Sequence, residues 1–197
     1  TYGYLGQAMS GNHEQSQYYM PLNGIWKFHF EEDQQNLKEG LTDYDVETGD
    51  WSDIKLPANW ETQGLGTPNY HNQPYEFQPR NPQPPAIPDA TPVGIYRRDF
   101  EIPGQWNGRD IFLHLAGAKS GVYVYINGQE VGYSEDSKDP AEFIINEYIK
   151  PGKNSLALKI YRWSTGSYLE CQDFWRLSGI ERDVFLWSQP KVAVKDF

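Results

Sequence analysis

The sequence predicts an all-β protein, a β-sandwich, and three observations carry that prediction. Fourteen Pro and eighteen Gly in 197 residues call for many turns. Apolar residues repeat at period two in a series of short runs separated by turn signals. No stretch shows the 3.6-residue repeat of a convincing amphipathic helix. Seven or eight short strands of this kind make a sandwich.

The elements follow in order. Thr1–Tyr19 is polar and without period, and reads as an extended or loosely attached arm. In Leu22–Phe30 (LNGIWKFHF), Trp26, Phe28 and Phe30 alternate with Lys27 and His29, a half-buried strand. Glu31–Asp50 is acidic and leaves room for a short helical turn, and Trp51–Trp60 is a short apolar stretch containing Pro57. Glu61–Pro92 is long and irregular, with six prolines from Pro79 to Pro92. A segment of that length inside a domain is functional or a linker. No separate core precedes it, so it is expected to be an ordered loop reaching over a neighbouring surface.

Regular strands resume at Gly94. Tyr96, Arg98 and Phe100 alternate with Ile95, Arg97 and Asp99; Ile111, Leu113 and Leu115 share one face. Val122–Ile126 and Glu130–Tyr133 flank Asn127-Gly128, a strong hairpin signal because both turn residues must tolerate positive φ. Further strands are expected over Glu142–Ile149, around Leu156, Leu158 and Ile160 after the Pro151–Asn154 turn, and over Val184–Trp187. The expected layout is an arm over 1–20, a domain over 21–189 whose Pro-rich loop spans 61–93, and the start of a linker over 190–197. The strand-like ending KVAVKDF and the start at Thr1 without Met are read as those of an excised domain.

Composition narrows the function. Hydrophobic residues make up 38% and aromatics 15%, with seven Trp and fourteen Tyr, so ring burial supplies much of the core. A formal net charge of −10 disfavours nucleic acid as a partner. No apolar run approaches the roughly 20 residues that span a bilayer, and no polybasic amphipathic stretch points to a membrane surface. The lone Cys171 excludes an intrachain disulfide and a cysteine-based zinc site, and reads as a small packed residue. The four histidines show no metal-ligand spacing, and His29 and His114 lie in strand patterns. The compartment is not legible; bacterial cytoplasm and periplasm are both compatible.

Arg162–Val184 (RWSTGSYLECQDFWRLSGIERDV) is the most informative segment. It sets Trp163, Tyr168, Phe174 and Trp175 among Glu170, Asp173, Glu181 and Asp183. Aromatic faces beside carboxylates suit sugars, whose C–H faces stack and whose hydroxyls bond. A jelly roll is the natural sandwich for such a domain. By residue type alone, Asp173 is an ion-pair partner of Arg176 or Arg182, and Asn72 in YHNQPY is a turn residue. Their functional readings are a carboxylate accepting sugar hydroxyls, or sharing a cation with them, and an amide meeting vicinal hydroxyls. Glu170 and Asp173, three apart on a strand or loop, face different ways and do not read as the two carboxylates of a glycosidase. Glu135-Asp136 and Glu31-Glu32-Asp33 read as solvated charge.

From Leu22 to Phe197 the chain resembles the N-terminal jelly-roll, galactose-binding-domain-like domain of glycoside hydrolase family two β-galactosidases. The resemblance rests on Leu22–Phe28 (LNGIWKF), Leu56–Trp60 (LPANW), Gly66–Asn72 (GTPNYHN), Gly94–Arg98 (GIYRR), Asn127-Gly128, Val131–Ser137 (VGYSEDS) and, most specifically, Arg162–Val184. It implies that Asn72 and Asp173 bind the galactosyl unit and that Asp173 helps hold a sodium ion. It also implies that the catalytic glutamates and a magnesium site belong to a barrel of the same polypeptide outside this segment, leaving no catalytic residue here. The implied substrate is a β-galactoside, and the implied parent a homo-oligomeric enzyme. Thr165 and Cys171 stand where the best-known members carry acidic residues. Two other readings stay open: a free-standing carbohydrate-binding module using Trp163 or Trp175 as an exposed platform, and a structural role in which loop and arm hold an oligomer together.

Overall fold

Period-two alternation builds two antiparallel sheets whose apolar faces meet. The computed structural model describes residues 2–3, 5–72, 75–77, 81–170 and 172–194. The larger sheet has six strands in the order β10 (Gln129–Ser134), β9 (Gly121–Ile126), β12 (Lys153–Tyr161), β6 (Val93–Glu101), β2 (Gly24–Glu31) and β3 (Ser52–Leu56). The smaller has four: β1 (Tyr19–Pro21), β15 (Val184–Gln189), β7 (Asp110–Leu115) and β11 (Ala141–Ile144). The longest ladder runs from Lys153 opposite Glu101 to Tyr161 opposite Val93. The strands expected between Leu22 and Trp187 are present, Glu142–Ile149 only in part, while the strand-like Lys191–Val194 is not a strand, and the architecture is a jelly-roll β-sandwich.

One hydrophobic cluster fills the space between the sheets. Trp26, Phe28, Tyr96, Val124 and Leu158 of the larger sheet join Leu113, Leu115, Val184 and Leu186 of the smaller, all at most 1% exposed. The Trp26 indole keeps a partner inside the core by donating to Leu22 O at 2.7 Å. A second, small cluster lies on the outer face of the six-stranded sheet, where Leu37, Leu41 and Val46 cover Trp51, Val93 and Ile95. The covering segment contains the expected helical turn, Gln34–Asn36, capped by the Asp33 carboxylate accepting from Gln35 N at 2.9 Å. The β9–β10 hairpin turns through Asn127 (φ 52°) and Gly128 (φ 80°), as the Asn-Gly pair requires.

Two earlier segments also differ from expectation. The arm carries a helix, α1 (Leu5–Ser10), and its end is bound into the sandwich: Tyr19–Pro21 is an edge strand on β15. Ser188 N donates to Tyr18 O at 3.0 Å, and the Arg109 guanidinium lies 3.6 Å from the Tyr18 ring centre. A three-residue strand is too short to show alternation, and its partner lies at the far end of the chain. The stretch Glu142–Ile149 is a strand only to Ile144, after which buried Ile145 accepts the Tyr148 amide in a turn.

Three short ladders stand apart from the two sheets and position the site. β4 (Ala58–Asn59) and β8 (Ala118–Lys119) both pair with β14 (Gly179–Ile180). β5 (Asn69–His71), inside the long loop, pairs with β13 (Phe174–Arg176).

Candidate functional site

The β5–β13 ribbon joins the two segments that the sequence singles out. His71 lies opposite Phe174, Tyr70 opposite Trp175 and Asn69 opposite Arg176. The ladder ends at the His71–Phe174 pair, and Asn72 and Asp173 are the next residue of each segment beyond it. Residues from distant parts of the chain therefore emerge at one end of one ribbon, and both are exposed.

Among the described residues Asp173 is held by its neighbour on the ribbon and by no arginine. Tyr70 Oη donates to Asp173 Oδ1 at 2.6 Å. Among the described residues Asp173 makes no ion pair, and its Oδ2 accepts no hydrogen bond. The two arginines considered from sequence are engaged elsewhere. Arg182 donates to Lys138 O at 2.7 Å, and buried Arg176 sets its guanidinium 4.8 Å from the Phe174 ring centre. The hydrogen bond to Asp173, then its negative charge, push the Tyr70 phenol above its ordinary pKa. Tyr70 and Trp175 meet edge to face at 5.9 Å and stay 53% and 55% exposed. The ribbon thus presents a carboxylate, an amide and two open rings. Trp175 is the exposed platform of the two tryptophans considered, since Trp163 is half-buried and donates its indole N–H to Glu76 Oε1 at 2.7 Å.

A buried ionic network holds the ribbon to the sandwich. Arg162, just past β12, donates from Nε and Nη2 to the two oxygens of Glu76, each at 3.1 Å, and from Nη1 to Glu61 Oε1 at 2.9 Å. The three side chains are 8%, 9% and 0% exposed, respectively. Arg162 also donates to Thr67 O at 3.1 Å and to Arg176 O at 3.3 Å, so it contacts both sides of the ribbon. Asn69 Nδ2 donates to Glu76 Oε2 at 3.3 Å, and Ser178 N to Glu61 Oε2 at 2.8 Å. The fork geometry of arginine makes this possible where a lysine would offer one point charge.

The two carboxylates respond oppositely. Burial raises the Glu61 pKa, and hydrogen bonds from Ser178 and the charge of Arg162 only partly counter it. Burial would also raise Glu76, but donation from Arg162 and Trp163 outweighs it and holds the carboxyl below its ordinary range. Sequence reasoning missed Glu61, Glu76, Arg162 and Tyr70 as site-building residues. The ionic partners lie 86 and 101 positions apart, and no local spacing announces them.

Other acidic residues resolve into structural roles. Both Glu170 oxygens are bonded by Ser137, from N at 2.6 Å and Oγ at 2.5 Å, so Glu170 serves the loop after β10. Glu135 is not solvated charge: it accepts from Thr165 Oγ1 at 2.7 Å, Gly166 N at 3.0 Å and Tyr133 Oη at 3.1 Å. His114 lies 2.8 Å from Glu142 and stacks on Phe185 at 4.3 Å, while His29 lies 3.1 Å from Glu31. Cys171 falls outside the described residues.

A sodium ion takes oxygen ligands. Asp173 fits as one of them, through its unbonded Oδ2. Among the described residues no group of three His, Cys, Asp or Glu could hold a metal, so the remaining ligands would have to be carbonyls, sugar hydroxyls or groups from elsewhere.

Comparison with known proteins gives this geometry its context. The family model described as glycosyl hydrolases family 2, sugar binding domain, matches residues 19–190. The chain is 40% identical over 198 residues to a β-galactosidase of Priestia megaterium, covering 100% of this chain and 19% of that protein. It is 41% identical over 176 residues to a β-galactosidase of Vibrio cholerae, covering 89% of this chain and 17% of that one. The chain thus spans less than a fifth of the length of these curated relatives. Among solved structures, a Bacteroides uniformis β-glucuronidase 2 covalently bound to cyclophellitol-6-carboxylate aziridine matches with a TM-score of 0.66 and 25% identity, over 87% of this chain and 18% of that one. A glycosyl hydrolase family 2 member from Bacteroides cellulosilyticus shares the fold, with a TM-score of 0.63 and 18% identity, over 88% of this chain and 21% of that one. With the family model spanning nearly the whole sandwich, this chain belongs to the sugar-binding domains of glycosyl hydrolase family 2.

Proposed function

We propose that this chain is the galactose-contacting, non-catalytic domain of a retaining β-galactosidase longer than the chain itself. The observation that supports the reading is the exposed end of the β5–β13 ribbon, where Asn72 and Asp173 follow the last paired residues, next to Tyr70 and Trp175. Relatives at 40% and 41% identity carry the name β-galactosidase, which selects the substrate class.

Asp173 accepts hydroxyl protons of the galactosyl unit, and the Asn72 amide both donates and accepts. These residues orient the sugar; bond cleavage belongs to two carboxylates about 5 Å apart on a catalytic barrel of the same polypeptide. Glu170, three residues before Asp173, is committed to Ser137 and takes no part in such a pair. Sodium, if bound at Asp173, supplies positive charge beside the sugar oxygens. The magnesium site goes with the barrel, and the parent enzyme is a homo-oligomer. Orientation contacts of this kind carry large effects, since a displacement of about 1 Å costs on the order of 100-fold in rate.

The test is kcat/KM of the complete enzyme on a β-galactoside. Asp173→Ala is expected to lower it by about 100-fold, with Asn72→Ala falling less; near-normal turnover in Asp173→Ala would remove that residue from the site. The exposed Tyr70–Trp175 pair favours one second reading, a free-standing carbohydrate-binding module. Saturable NMR shifts at the Tyr70 amide and the Trp175 indole on titrating galactose into this chain alone would move that reading ahead. A ribbon end that does not respond supports a pocket completed elsewhere.

A further inference from the structure

The outer face of the six-stranded sheet is only partly covered. The segment before Trp51 folds over Val93 and Ile95, but beside it a groove of about 250 Å³ remains open. Its walls are Tyr123 of β9, Tyr133 of β10, Tyr161 at the end of β12, and Trp163. Strand alternation fixes this arrangement: Val122, Val124, Leu158 and Ile160 point into the core, so the residues between and beside them point outward. Tyr133 lies opposite Tyr123 on the ladder, with ring centres 4.5 Å apart, and Tyr161 meets Tyr123 edge to face at 6.1 Å.

The polar chemistry of the groove is specific. No Asp, Glu, Lys, Arg or His is among its described lining residues, in a chain with 17 Lys and Arg and 27 Asp and Glu. Thr91 lies beneath it, 0% exposed, and offers a ligand no surface. Thr165 and Tyr133 present hydroxyls whose protons are committed to Glu135 behind the wall, at 2.7 Å and 3.1 Å, leaving their oxygens as acceptors. Rings for a C–H face and hydroxyl oxygens able to accept fit a polyol. An uncharged lining fits a neutral ligand and gives a phosphate no counter-charge. The volume falls below the roughly 300 Å³ at which drug-sized sites begin, which suits a single ring.

We infer that this groove is a second saccharide site, taking one neutral pyranose unit. It is separate from the ribbon end that holds Asn72 and Asp173, and does not depend on the role proposed for them. Trp163 links the two regions, lining the groove while its indole N–H bonds Glu76 of the ribbon anchor.

The experiment is a 1H–15N titration of the 197-residue chain with methyl β-D-galactopyranoside, in the wild type and in Asp173→Ala and Tyr133→Ala. Saturable shifts are expected at the amides of Tyr161 and Thr165 and at the Trp163 indole. They should persist in Asp173→Ala. Tyr133→Ala removes one ring of the wall, so the groove affinity should weaken about 3- to 10-fold. Three results would overturn the inference: no saturable shift at the groove, shifts there that vanish with Asp173→Ala, or affinity unchanged in Tyr133→Ala with its spectrum otherwise native.

Discussion

At the scale of single residues, the Asp173 carboxylate depends on one hydroxyl. Tyr70 Oη holds Oδ1 at 2.6 Å, which fixes the carboxylate plane and leaves Oδ2 to meet a ligand. Removing that hydroxyl keeps the ring, its edge contact with Trp175 and the β5 backbone. Tyr70→Phe should therefore leave the thermal unfolding midpoint of this chain unchanged, because Tyr70 is exposed. In the complete enzyme it should raise KM for a β-galactoside several-fold, by less than the loss from Asp173→Ala, since the carboxylate stays but is no longer oriented. Equal effects of the two substitutions would mean that Tyr70 itself contacts the sugar. No effect from Tyr70→Phe would mean that something other than Tyr70 orients the carboxylate.

At the scale of elements, the ribbon owes its place to charge rather than to a core of its own. Glu76 supplies the clearest handle, because its pKa is lowered in the folded protein by Arg162 and Trp163 despite burial. A depressed folded pKa contributes stability above the unfolded value, about 4.3 for glutamate, and that stability is lost as pH falls through the folded value. Glu61 works the other way: burial raises its folded pKa, so its contribution is present below the unfolded value and lost as pH rises. Glu76→Gln should destabilise the chain near neutral pH, by about 1.5–3 kcal/mol for charge-assisted bonds lost. It should also flatten the fall in stability between about pH 5 and pH 3, which urea unfolding across that range reads directly. An acid limb as steep as the wild type's would place the responsible carboxylate elsewhere.

The same elements show what a sequence makes legible. Trp26, Phe28 and Phe30, Leu113 and Leu115, and the Asn127-Gly128 turn all announce themselves, because period two and positive φ are local demands. Asn72 and Asp173 stand out as singled residues in motif-bearing segments, but their adjacency does not. It exists only through the β5–β13 pairing, between strands too short to show alternation. The Glu61–Arg162–Glu76 anchor is similarly silent, since a salt bridge carries no pattern along the chain. Glu135 reads as surface charge in the sequence for the same reason: its donors, Thr165 and Gly166, lie 30 and 31 residues away.

At the scale of the whole molecule, the two sheets share one core, and that decides how the domain unfolds. Leu113, on β7 of the smaller sheet and 0% exposed, belongs to the same cluster as Trp26, Phe28 and Leu158 of the larger. Neither sheet can keep its apolar face dry once the other leaves. The polar ladders at the site add little burial and depend on the sandwich for position. A single transition is therefore expected, with tryptophan fluorescence and far-ultraviolet circular dichroism reporting the same midpoint. Leu113→Ala should lower the unfolding free energy by about 2–5 kcal/mol, the range for a fully buried leucine whose cavity cannot collapse. Both probes should shift together, because the loss is felt by one cooperative unit. Separate midpoints in the variant would show that the sheets are stabilised independently, and a cost below about 1 kcal/mol would show that the site between them relaxes to fill the space.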